Sequence, residues 1–193
     1  MMKTKKQLVC LFTMGILCVS LAACGGDTKE DDTKDRSSDA AAVTVLQASA
    51  KEIAAKVQSG VELTGASWIA SDEPDADLTL MFNYGVEEDE QVDAIEDYVL
   101  STITSNDYPY YFGVIRCKEG TDKAVIDAIA ETVRNSYPQD VIYQMAKYNG
   151  AWSAVAEGFT LKTYDNGVVV AAYDTEGNDA VISLVEEACR AAQ

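Results

Sequence analysis

The 193-residue chain changes its apolar spacing several times, and each change predicts an element. An uncharged apolar run extends from Leu8 to Leu21, behind Lys3, Lys5 and Lys6. It is short for a membrane span and has the form of a signal-peptide core. Residues 25–42 then show no apolar period and predict a disordered acidic tether, with a reach on the order of 25 Å. Helical spacing begins at Ser49-Ala50-Lys51-Glu52, a capping-box spelling, and continues through Ile53 and Val57 to Gly60, predicting a helix over 49–59. From Val61 to Val92 the period is ambiguous. Pro74 and its acidic neighbours predict a loop, and Leu78 to Tyr84 fits either a short helix or a strand.

Strand-like runs follow at 95–103 and 110–117, rich in aromatic and β-branched residues. After Gly120-Thr121, the spacing of Val125, Ile126, Ile129 and Val133 predicts a helix over 121–136, with a further helical turn or two at 141–147. Strands at 159–164 and 168–173 flank Asp165-Asn166-Gly167, where Asn-Gly marks a tight turn. Asn178 or Asp179 is placed to cap a last helix, 179–192, with Val181, Ile182, Val185 and Cys189 on its apolar side. Laying residue 124 on residue 180 matches Ala-Val-Ile with Ala-Val-Ile, Glu131 with Glu187, and Arg134 with Arg190. Either a diverged repeat or convergence on an amphipathic helix produces such a match.

The expected fold is therefore α+β. A four-stranded, mainly antiparallel sheet comes from two strand-strand-helix units, with their helices on one face and an N-terminal helix beside them.

Composition narrows the chemistry. There are 15 basic and 32 acidic residues, a net charge of -17, and no histidine. Without histidine, Ser-His-Asp and Cys-His catalysis and most zinc sites are excluded. The acidic balance opposes nucleic-acid binding. Leu21-Ala22-Ala23-Cys24 ends the apolar run with the spelling of a lipobox, in which Cys24 carries the lipid and becomes the mature N-terminus. The domains expected are a signal peptide at 1–23, the tether at 24–42 and one folded domain at 43–193. Removing 1–23 takes away three lysines and no acid, leaving a net charge of -20. Cys117 and Cys189 remain, as a disulfide or as two separate buried thiols.

Candidate chemistry is sparse. Asp72, Glu73, Asp75 and Asp77 lack the glycine and glutamate that an EF-hand loop needs. The Asp174–Asp179 stretch reads as helix capping, and Glu87–Glu90 as a solvated loop or helix start. No phosphate loop or Ser-x-x-Lys spelling occurs, so no catalytic residue, metal or cofactor is expected. Tyr108, Tyr110 and Tyr111 form an aromatic cluster suited to partner contact.

The lipobox at Cys24, the acidic tether, the capped first helix, the strand pair followed by Gly120-Thr121 and a helix, and the terminal hairpin plus helix resemble a family of short secreted lipoproteins. That family is common in Gram-positive anaerobes and is built around a domain of unknown function. The resemblance is best from Tyr110 onward. It implies the fold and an address on the extracytoplasmic face of the cell membrane, and it brings no catalytic residues. The expected function is a non-enzymatic interaction module, lipid-anchored in the membrane through Cys24, for a protein or cell-envelope partner. The alternative is a small-ligand or cation-binding lipoprotein attached to a transporter.

Overall fold

The computed structural model describes residues 42–61, 66–103, 111–136, 147, 153, 158–172 and 175–193. The signal, Cys24 and the tether up to residue 41 lie outside these, as do residues 141–146 of the expected extra helical turn. In chain order the elements are α1 (Ala50–Gly60), β1 (Ala66–Ala70), α2 (Ala76–Tyr84), α3 (Asp89–Ala94), β2 (Ile95–Ile103), β3 (Tyr111–Cys117), α4 (Lys123–Asn135), β4 (Thr160–Tyr164), β5 (Gly167–Ala172) and α5 (Thr175–Ala191).

The fold is α+β with an antiparallel sheet, and the sheet has five strands, not four, in the order β1-β2-β3-β5-β4. Every pairing is antiparallel, with Val99 opposite Val114 and Val114 opposite Val169 across the centre. The added strand is β1, five residues on the outer edge of β2. Its brevity left little period to read.

The helices do not share one face. Tyr111, Ile115 and Cys117 of β3 and Val168 and Val170 of β5 pack with α2 and α4. Phe112 and Val114 of β3 and Val169 and Ala171 of β5 pack with α1 and α5. The expectation of a single helix layer is corrected: the domain has three layers. The reason is that β3 and β5 are apolar at almost every position and buried on both sides, so each side of the sheet needs its own cover.

This arrangement also decides the repeat. The inner strands β3 and β5 are antiparallel neighbours, with β2 and β4 outside them. Rotating one strand-strand-helix unit onto the other would put both helices on the same face. Since α4 and α5 lie on opposite faces, the two units have opposite hands and no rotation superposes them. The sequence match is therefore carried by the two amphipathic helices and not by a superposable repeat unit.

Local chemistry sets the ends of the elements. Ser49 and Glu52 close the capping box of α1, whose Ile53 and Val57 are fully buried. Asp122 caps α4 through the Ala124 N–H. The last helix begins at Thr175, earlier than expected, so Asn178 is inside it rather than at its cap. Buried Asn178 instead donates its side-chain amide to the Gly158 carbonyl. Cys117 and Cys189 are free thiols in separate cores, on opposite sides of the sheet.

Candidate functional site

Helix α2 carries an unusual spelling: Ala76, Leu78, Leu80, Phe82 and Tyr84 place an apolar residue at every second position. That is a strand period. Wound as a helix, it must divide its apolar residues between two sides, because neighbours two apart lie roughly 200° around the axis. Ala76, Leu80 and Tyr84 enter the core. Leu78 and Phe82, one turn apart, are left at 49% and 74% exposure, and Val92 on α3 is also exposed. A helix apolar all round is normally buried, so this outer face is an unpartnered surface.

The helix presenting it is fixed at both ends. Asp75 turns the chain with a φ of 65°, and Gly85 ends α2 with a φ of 72°. A side chain at Gly85 would be strained by that φ and would also press on Ser136, 2.8 Å from the added carbon. At the first turn, the Tyr98 hydroxyl donates to Asp77 Oδ1 at 2.8 Å. Burial, and then this bond to a carboxylate, raises the Tyr98 hydroxyl well above the usual phenol range. At the last turn, Ser136 Oγ donates to the Tyr84 carbonyl at 2.6 Å, and Tyr84 Oη donates to the Phe112 carbonyl at 3.2 Å. The Tyr84 ring stacks on Tyr111 with centroids 5.0 Å apart. Exposed apolar atoms are thus held on a pinned helix rather than on a loop.

Where α2 ends, a cleft opens against α4. It has a volume of about 590 Å³ and is lined by Gly85, Gln91, Ala128, Glu131, Thr132, Asn135 and Ser136. A second cleft, of about 260 Å³, shares Gln91 and Ala128 and adds Glu88 and Glu90. Gln91 lines both and donates Nε2 to Thr132 Oγ1 at 3.2 Å. The Gln91 Oε1 atom is buried and has no hydrogen-bond partner among the described residues. Arg134, the basic residue in the last turn of α4, lines neither cleft. The linings are therefore carboxylate, amide and hydroxyl groups beside aliphatic residues.

The residues that the sequence singled out fall elsewhere. Cys24, Tyr108 and Tyr110 lie outside the described residues. Tyr111 is fully buried beneath α2 and α4, which removes it as a partner contact. Its strand is covered on both faces, so alternation gave it no route to solvent. The four acids Glu87–Glu90 are exposed and run into the first turn of α3, where they favour the positive end of the helix. The acids near Pro74 have separate partners: Asp72 pairs with Lys51 at 2.7 Å, Glu73 accepts from the Ala70 N–H at 3.2 Å, and Asp77 accepts from Tyr98. Among the described residues, no group of three Cys, Asp or Glu is arranged to hold a metal, and no helix is long and apolar enough to cross a membrane.

Sequence alone does not mark the outer face of α2 as exposed. The signal was present in the period-2 spelling, which as a helix places Leu78 and Phe82 on the side away from Ala76, Leu80 and Tyr84. Neither the protein-family models, nor the curated proteins, nor the solved structures with which the chain was compared give a match.

Proposed function

We propose that this protein is a lipid-anchored extracytoplasmic docking module. Its signal peptide, residues 1–23, directs export; Cys24 carries the lipid; and the acidic segment 24–42 holds the domain away from the membrane. The domain contacts a protein partner of the cell envelope and carries out no chemistry of its own. The resemblance to short secreted lipoproteins and the lipobox spelling at Cys24 support the address. Two or three acyl chains on one residue give stable anchoring, since each buried methylene contributes roughly 0.8 kcal/mol. One observation carries the docking role: Leu78 and Phe82 stand exposed, one turn apart, on a helix pinned at both ends.

The test is photo-crosslinking in intact cells, with a photoreactive side chain at position 82 or, as a control, at exposed Ser183 on α5. Position 82 is expected to yield a discrete protein adduct that position 183 does not. The same adducts from both positions, or none from 82, would overturn the docking role. For the address, Cys24→Ala should leave uncleaved precursor that takes up no labelled fatty acid, whereas the wild type is cleaved and labelled. Normal cleavage or lipid labelling of that variant would overturn the anchor.

A further inference from the structure

Resting on the docking reading above, we infer that the segment received by this surface is cationic and amphipathic. Its apolar side chains cover Leu78 and Phe82, and its lysine or arginine side chains face the carboxylates beyond the C-terminal end of α2. Residues 71–94, which include all of α2 and α3, contain nine carboxylates and no lysine or arginine. Three of the nine, Asp72, Glu73 and Asp77, are engaged by Lys51, a backbone N–H and Tyr98. Glu87, Glu88, Asp89 and Glu90 are exposed, and no side-chain hydrogen bond or ion pair holds them among the described residues. Glu88 and Glu90 line the smaller cleft, and Glu131 lines the larger one together with Gly85 at the C-terminal end of α2, so both clefts offer acceptors for cations.

Charge complementarity selects among occupants of the apolar face. A second copy docked through this face would bring two copies of this acidic stretch together. An anionic lipid surface meets the same repulsion. A neutral apolar partner would draw water away from the carboxylates and return nothing to them. A basic amphipathic segment satisfies the apolar face and its charged border together.

The inference is tested on the full chain in phosphatidylcholine nanodiscs, with three fluorescent peptides as probes. One is an amphipathic Leu/Lys helix, one a Leu/Glu helix of the same pattern, and one a Ser/Lys peptide with the charge of the first. The Leu/Lys peptide is expected to bind at least about tenfold more tightly than either other peptide, with a further loss of about tenfold in Phe82→Ser. Substituting Glu87, Glu88, Asp89 and Glu90 by glutamine should weaken it similarly, and should flatten its salt dependence. Phe82 is mostly exposed, so Phe82→Ser should keep the wild-type unfolding midpoint, which separates lost binding from lost fold. Equal binding of the Leu/Lys and Ser/Lys peptides, or no effect of Phe82→Ser, would overturn the inference. So would Phe82-dependent self-association, or Phe82-dependent adsorption to phosphatidylglycerol vesicles, in place of peptide binding. If a position-82 adduct forms in cells despite such a result, the docking role stands and only the cationic partner fails.

Discussion

The side chain of Asn166 clasps the backbone of Leu46 from both sides: its Oδ1 accepts from the Leu46 N–H at 2.7 Å, and its Nδ2 donates to the Leu46 carbonyl at 3.1 Å. One turn residue between β4 and β5 thereby fastens the segment that leads from the N-terminus into α1. The neighbouring Asp165 N–H donates to the Thr44 carbonyl at 2.7 Å, and Leu46 itself is almost fully buried. Asn166→Ala leaves both Leu46 groups without this partner and should cost about 1–3 kcal/mol. Asn166→Asp keeps the acceptor but sets a carboxylate oxygen against the Leu46 carbonyl in place of the donor, so its cost should be at least as large. Urea denaturation checks the order, and limited proteolysis should find new cleavage near residues 43–48 in Asn166→Ala. Wild-type stability and an unchanged digest would show that the clasp contributes nothing.

Gly113 faces the core below α2. A carbon added there would lie 2.8 Å from Tyr84 Cε1, 2.9 Å from Tyr84 Oη and 2.9 Å from Val170 Cγ2. Tyr84 is fixed by its bond to the Phe112 carbonyl and its stack on Tyr111. Gly113→Ala should therefore destabilise the domain by about 1–3 kcal/mol through overpacking. Because Tyr84 belongs to α2, the variant should also weaken any binding at Leu78 and Phe82 that the docking face provides. Thermal unfolding and the position-82 crosslink report these two effects separately.

Cys117 and Cys189 should both be unreactive in the folded protein. Burial pushes the Cys117 thiol up to about 11, so little thiolate forms near neutrality. Cys189 is fully buried in the other core. Alkylation followed by peptide mapping should label neither thiol in the native state and both after unfolding. A disulfide-linked peptide containing both cysteines would contradict their separation by the sheet.

Acid should weaken the start of α1. Hydrogen bonds from the Ser49 side chain and backbone hold the Glu52 carboxyl below its ordinary 4.5. A carboxyl depressed in the folded state contributes stability above its unfolded value and loses it as pH falls through the folded value. The Asp72 carboxyl, lowered chiefly by its hydrogen bond from Lys51, acts with the same sign. Urea midpoints measured from about pH 6 to about pH 3 should fall more steeply for wild type than for Glu52→Gln. Parallel curves would remove Glu52 from the account.

Much of the local structure was legible because its causes lie within a few residues. The Ser49/Glu52 box is closed by bonds between residues three apart. Asn166-Gly167 bends β4 into β5 through its own backbone preference. The stripe Ile126, Ile129, Ala130 and Val133 follows from helical spacing alone. The docking face was less accessible. The period of Ala76–Tyr84 supports a strand as well as a helix, and contacts with Asp75, Gly85, Tyr98 and Ser136 accompany the helical outcome. Tyr111 was misplaced for a related reason: aromatic character does not tell which side of a strand is covered.

By itself, then, the sequence determined the α+β class, the antiparallel hairpin at Asn166-Gly167 and the apolar sides of α4 and α5. The tertiary structure alone decided that those two helices cover opposite faces, that β1 adds an edge strand, and that Leu78 and Phe82 remain outside. Period and capping act over a few residues, whereas the face that a helix covers depends on how distant segments cross the sheet. The unbroken apolar run Val168–Ala172 required cover on both sides of β5, yet nothing local to α4 or α5 specifies which side each takes.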